Sequence, residues 1–378
     1  MIFGSRRRAD AEARRNIDND LPRGMLLAGA WSWRILALAG VVALFVFLVI
    51  EFRVIVIPML VAIIVSALLV PFSEFLHRHG WPRWLAITTT VVVTVGAISA
   101  LVYLVVTQVR AGWPDLQAQS IAAWDRFTDW LLASPFHITE SQVAQWAAEL
   151  WEGIERDSSV WINGALSVGS TAGHFVAGAL IAVFAILLIL IDGKNIWAWF
   201  VRIFPRKARV AITGAGEAGW ITLSNFAKVQ IFVAAVDAIG IGLGAFILGL
   251  PLSVPLAIIV FLGSFIPIVG AVATGAIAVF IALIYKDLVI AVIMLAIVIV
   301  VQQVESHVLQ PLVMGQAVKV HPLAVVLAVA AGSYIAGIAG ALFAVPIVAT
   351  ANAVISYIGR GAWRENPHPD LDDVLARD

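Results

Sequence analysis

The stretch PLAIIVFLGSFIPIVGA at residues 255–271 returns later in the chain as PLAVVLAVAAGSYIAGIAGA at 322–341. Both copies open Pro-Leu-Ala, at Pro255 and Pro322. Both run through an apolar stretch to Gly-Ser-aromatic-Ile, at Gly263-Ser264-Phe265-Ile266 and Gly332-Ser333-Tyr334-Ile335. Both close on Gly-Ala, at Gly270-Ala271 and Gly340-Ala341. Each copy follows one long apolar run, 220–249 and 288–310. The unit is therefore a span plus a broken helix, written twice. Pro267 removes a backbone donor, and Gly263, Gly270, Gly332, Gly337 and Gly340 loosen the helix on either side of the break. Irregular backbone at membrane depth must be buried in protein or line a wet cavity. Each half of a broken segment has only about 12–16 residues, short of the about 20 that one crossing needs. The reading is two re-entrant hairpins, with tips near Pro267 and Gly337.

Outward from this repeat, the composition sets the class. The 378 residues are 61% hydrophobic and 13% charged, with a mean hydropathy of +0.98. A soluble domain carries about 25% charged residues, so this chain cannot cover an ordinary water-facing surface. Lys+Arg and Asp+Glu both number 24, which leaves no basic excess for a nucleic acid. There are no cysteines, hence no disulfide, thiolate metal site or Cys nucleophile.

Further apolar runs lie at about 31–50, 54–71, 84–107 and 168–191. The expected fold is an all-α polytopic membrane protein with about six full spans plus two re-entrant hairpins in an inverted repeat; eight full spans is the alternative. Lys and Arg set the orientation. Arg6, Arg7, Arg8, Arg14, Arg15 and Arg23 precede the first run. Arg78 and Arg83 follow the second, and Lys194, Arg202, Arg206, Lys207 and Arg209 follow the fourth. Those segments, and with them both termini, belong in the cytoplasm, and the acidic segment 108–166 belongs outside. That segment reads as two amphipathic helices parted at Ser134-Pro135. Residues 194–203 read as an interfacial helix, with Asp192 and Lys194 as span-end residues. Tryptophans such as Trp31, Trp33, Trp84, Trp197 and Trp199 sit near span ends, where indoles favour the headgroup level.

The domain reading follows: a tail at 1–30, scaffold helices at 31–216, a transport domain at 217–358 (repeat units 217–286 and 287–358) and a tail at 359–378. Two tips meeting near the midplane would present half-helix ends. Free N–H groups at Gly270 and Gly340 would attract substrate oxygens. Free carbonyls at Gly263–Ile266 and Gly332–Ile335 would attract hydroxyls or a cation. Ser264, Ser333 and Tyr334 would add hydroxyls. Ionisable residues inside spans point to function. Asp237 shares a helical face with Gln230, Gly240 and Gly244. Glu305 shares one with Gln302 and Ser306. Asp237, Glu305 and Gln302 are the candidates for coupling to a proton or sodium ion. No catalytic constellation, metal-ligand spacing or phosphate loop is present, so neither an enzymatic activity nor a cofactor is expected.

The run 304–349, VESHVLQPLVMGQAVKVHPLAVVLAVAAGSYIAGIAGALFAVPIVA, resembles the autoinducer-2 exporter family of bacterial transporters. Glu305, Pro311, Gly315, His321-Pro322-Leu323, Gly332, Gly337, Gly340 and Pro346 carry the likeness. FIPIVGA at 265–271 and Asp192-Gly193, followed by aromatics up to Phe204-Pro205, agree with it. Ile268 and Ala271 depart from it, where an aromatic and a proline are common. The resemblance implies a homo-oligomeric secondary transporter in the bacterial plasma membrane, exporting a small polar metabolite such as autoinducer-2. It also implies relatives that exchange sodium or lithium for protons. A non-transporting scaffold is the alternative of another class.

Overall fold

The computed structural model describes residues 23–133, 168–266, 269–314, 321–370 and 374. The second amphipathic helix expected within 134–166, and Pro267, lie outside the described residues. Among those described the chain is almost entirely helical, and seven helices are long and apolar enough to cross a membrane. The chain is a multi-pass all-α membrane protein.

Two units divide it, residues 1–56 and 57–378. The first holds α1 (Arg23–Glu51), which exposes Trp31, Trp33, Leu36, Leu44 and Phe47 on its surface. A helix apolar all round needs lipid or protein about it.

The second unit begins within α2 (Arg53–Arg78), and there α2, α3 (Arg83–Ala133) and α4 (Val168–Arg202) share one apolar cluster. Ala62, Ile87, Val91, Ala185, Ile186 and Leu190 form it. Helix α3 corrects one sequence expectation. A span ending near 107 and a separate amphipathic helix were expected there; instead a single helix of 51 residues continues through Pro114. Ser134-Pro135, where a break is expected, lies outside the described residues. Helix α4 keeps the other expected boundary. Asp192 leaves helical geometry (φ −142°, ψ 22°), and its carboxylate accepts from the Asn195 amide at 2.6 Å. The Arg83 guanidinium donates to the Ile191 carbonyl at 2.9 Å, satisfying an acceptor that the break frees.

Beyond a short 3-10 turn (Arg206–Ala208) comes α5 (Arg209–Ile247), then α6 (Ser253–Gly263), α7 (Val269–Tyr285) and α8 (Leu288–Val304). A π-helical segment (Glu305–Met314) and α9 (Pro322–Gly359) complete the order. Within a bilayer, close packing of small residues replaces the hydrophobic drive between helices, and α5 is built for that. A Cβ added at Gly242 would lie 2.7 Å from Ala257 of α6. One at Gly240 would lie 2.8 Å from Val301 of α8, and one at Gly244 2.7 Å from Ile297 of α8. At Gly219 it would lie 3.2 Å from Thr350 and Val354 of α9. Helices α5–α8 enclose a second cluster that includes Ile241, Leu256, Val260, Ala278, Met294 and Val298. The C-terminal segment turns back onto the start of α5. Trp363 and Val374 join Ala215, Ala218 and Tyr357, and His368 Nδ1 pairs with Glu217 Oε2 at 3.0 Å.

Candidate functional site

Helices α6 and α7 are the two arms of a hairpin. A Cβ added at Gly270 would collide with the Gly263 carbonyl, and one at Gly263 with the Thr274 methyl. The arms therefore touch backbone to backbone just behind the turn. At the far end Lys286 Nζ lies 3.7 Å from a Cβ built on Gly249, so the chain leaves beside the point where it entered. There α3 braces the arms. Gly112 packs under Leu252, and Arg126 donates to the Ile284 carbonyl at 3.2 Å.

Helix α9 is a second hairpin in a single run of residues. Ala336 (φ −135°, ψ 21°) and Gly337 (φ 61°, ψ −142°) leave helical geometry. The Gly337 pair of angles is one that glycine adopts at no steric cost. Positions 332 and 340 would stand about 12 Å apart along a straight helix. Instead a Cβ on either would strike the other's carbonyl. The glycines that define the repeat in sequence are thus the residues that let both pairs of arms meet. This second hairpin packs on the first half of α5. Phe226 sits among Val329, Ala341, Ala344 and Val345, and Ile266 from the first tip packs on the same cluster. The first tip and the arms of the second hairpin thus converge on the middle of α5.

Three sequence candidates meet there with Gln230. The Gln230 amide donates to the Ser264 carbonyl at 2.7 Å. The Ser264 hydroxyl donates to Asp237 Oδ2 at 3.0 Å and lies 2.9 Å from the Val260 carbonyl. Asp237 is 2% exposed. Its other oxygen, Oδ1, is buried without a hydrogen-bond partner. Glu305 comes in from α8. The antiparallel register that sets Gly244 on Ile297 and Gly240 on Val301 continues to set Asp237 opposite Val304 and Glu305. Glu305 is half-buried and begins the π-helical turns, a geometry frequent at functional sites. Gln302 is half-buried one turn earlier.

Other candidates fall elsewhere. Ser333 is exposed, Tyr334 is 94% exposed, and no side-chain or backbone atom stands within 4 Å of a Cβ built on Gly337. Phe265 stacks edge-on against Phe261 with ring centroids 5.5 Å apart. The free half-helix ends expected at the first tip are not free. The Gly270 N–H donates to the Ile266 carbonyl at 2.9 Å, and the Gly263 carbonyl accepts from Ile266 at 2.9 Å. A tight turn satisfies its own backbone, as buried polar groups require. Gln230 was legible only as a polar neighbour of Asp237; its bond to the tip depends on a fold-back that helical periodicity does not encode.

A family model described as AI-2E family transporter matches residues 35–360. "Putative transport protein MT0215" of Mycobacterium tuberculosis (strain CDC 1551 / Oshkosh) is 38% identical over 345 residues, 91% of this chain and 93% of that protein. "Putative transport protein YrrI" of Bacillus subtilis (strain 168) is 24% identical over 312 residues, 80% of this chain and 86% of that protein. The family match reaches from within α1 to the end of the second hairpin, so this multi-pass chain belongs to the AI-2E family of transporters.

Proposed function

We propose that this transporter is a secondary exporter of a small polar solute, working by alternating access at the point where the hairpin tips meet α5. The observation that carries this reading is the convergence itself. Two folded-back half-helices reach the middle of one long helix, and the polar groups of that region, Gln230, Ser264, Asp237 and Glu305, gather there. Paired broken helices about a central site are how many secondary transporters bind cargo. The solute class that fits is small and hydroxyl-bearing, of the autoinducer-2 kind that the family's description suggests. Gly263, Ser264, Phe265, Pro267 and Gly270 on one tip, and Gly332, Ser333, Tyr334, Gly337 and Gly340 on the other, form the solute path. Asp237, Glu305 and Gln302 couple it to an ion. Helices before residue 217 act as a scaffold, with contacts to further copies of the chain. The separate apolar clusters of α2–α4 and α5–α8 support that division. The membrane is the bacterial plasma membrane, with both termini cytoplasmic.

The test is flux in proteoliposomes holding the purified chain. Labelled autoinducer-2 should move down an imposed gradient faster than in protein-free vesicles. Sodium-dependent proton movement without solute flux would favour the antiporter reading, and silence in both would favour a scaffold. Sidedness has its own check. A cysteine replacing Lys286 should react with an impermeant thiol reagent added outside intact cells; reaction only after lysis would reverse the first hairpin.

A further inference from the structure

We propose that the ion carried by this site is a proton, shared between the carboxyl groups of Asp237 and Glu305, and that the site does not hold a metal cation. The proposal deepens the transport reading and rests on it for its role in a cycle, but the site can be tested without any flux.

The Asp237 carboxyl is short of partners. The Ser264 hydroxyl proton has two acceptors in reach, Asp237 Oδ2 at 3.0 Å and the Val260 carbonyl at 2.9 Å, and Val260 already accepts the Ser264 N–H at 2.9 Å. A carboxylate at 237 has that one donor at most, its Oδ1 is bare, and among the described residues no cation lies beside it. A buried charge needs pairing or full hydrogen bonding. One added proton removes the charge and gives the carboxyl a hydrogen bond to donate. The Asp237 O–H then donates to Ser264 Oγ, and the Ser264 hydroxyl donates to Val260.

A metal cation would have to compete for carbonyls already in use. Sodium in broken-helix transporters is held by unwound carbonyls, yet among the described residues of the first tip three already accept a hydrogen bond. Gly263 accepts from the Ile266 N–H, Ser264 from the Gln230 amide, and Ile266 from the Gly270 N–H.

The charged surroundings are sparse. From 253 to 284 and from 288 to 304 the packed elements carry no ionisable side chain. Helix α9 carries Tyr334 and Tyr357, and α4 carries His174, Asp192, Lys194 and Arg202. Lys228 is exposed on the opposite face of α5, and Glu217 sits toward the start of α5, paired with His368. Among the described residues Glu305 is therefore the ionisable group that the α5–α8 register sets opposite Asp237. Their exposures are graded. His307, two residues beyond, is exposed, Glu305 is half-buried and Asp237 is buried. A proton enters at Glu305. Transfer to the Asp237 carboxylate leaves Glu305 as the carboxylate, so the pair keeps one proton and one negative charge throughout.

Infrared difference spectroscopy on the full chain in lipid, stepped in pH, tests this directly. A protonated buried carboxyl gives a C=O stretch that carboxylates lack and that shifts in D2O. The wild type should show such a band appearing with acid, and sodium or lithium chloride at fixed pH should leave it unchanged. Asp237→Asn should remove it. Ser264→Ala, a milder change, should keep the band and shift its frequency, because the acid loses its acceptor. A band that Asp237→Asn leaves in place, no titrating band, or one that sodium or lithium erases would overturn the proposal. If the band behaves as expected while flux of every solute fails, the transport reading falls and the proton site stands.

Discussion

Gly270→Ala and Gly340→Ala should each stop transport, with flux down by about 100-fold or more, while the chain still inserts and elutes as one species in detergent. A methyl group at 270 falls on the Gly263 carbonyl, and one at 340 falls on the Gly332 carbonyl. Backbone carbonyls held in a helical arm cannot swing aside as a flexible side-chain end would. The arms must separate instead, and that displaces Ser264 from Gln230 and Asp237 at the first tip and Val329 and Ala341 from Phe226 at the second. A factor of 100 corresponds to about 2.7 kcal/mol in the barrier, within the usual cost of about 1–3 kcal/mol for overpacking a close contact. The controls are Gly96→Ala and Gly359→Ala, where a methyl meets open space. Those should leave the rate unchanged. Solute flux into vesicles, normalised to inserted protein, reads all four variants, and retention of most of the activity in Gly270→Ala would remove the tip contact from the mechanism.

Those same glycines mark how far the sequence could be read. Breakers inside an apolar run are visible without coordinates, so both hairpins could be located from Gly263, Pro267, Gly270, Gly332, Gly337 and Gly340. The reason for Gly263, Gly270, Gly332 and Gly340 could not be read, because it lies in a partner seven or eight positions away that becomes a neighbour only after the turn. Asp237 and Glu305 were legible because a carboxyl inside a span is costly enough to stand out. Their juxtaposition was not, since it depends on the α5–α8 register set by Gly240 and Gly244. The free N–H expected at Gly270 failed for a local reason: the turn closes on the Ile266 carbonyl. Helix α3 hid its continuity behind Pro114, whose lost hydrogen bond normally ends a helix. The docking of Val374 and Trp363 on α5 was hidden by the polar composition of the tail that carries them.

Locking the tips together should arrest the transporter reversibly. The chain has no cysteine of its own, so introduced pairs report without background. Ile266 of the first tip packs on the cluster that holds Val329 and Ala341 of the second hairpin. Alternating access requires a contact that closes the path in one state to open in the other. In a chain with Ile266→Cys and either Val329→Cys or Ala341→Cys, a short bifunctional thiol cross-linker should lower flux by at least tenfold, and reduction should restore it. The comparison pair is Gly219→Cys with Val354→Cys. There the base of the second hairpin packs on α5, with a methyl 3.2 Å from the added Cβ. If the hairpin pivots about that base, the same cross-linker leaves most of the activity. Arrest by both pairs would mean that the whole second hairpin separates from α5 during the cycle. Full activity with the tips joined would mean that the two hairpins travel as one body, and that the moving boundary lies between α3 and the first hairpin, where Gly112 meets Leu252 and Arg126 meets the Ile284 carbonyl.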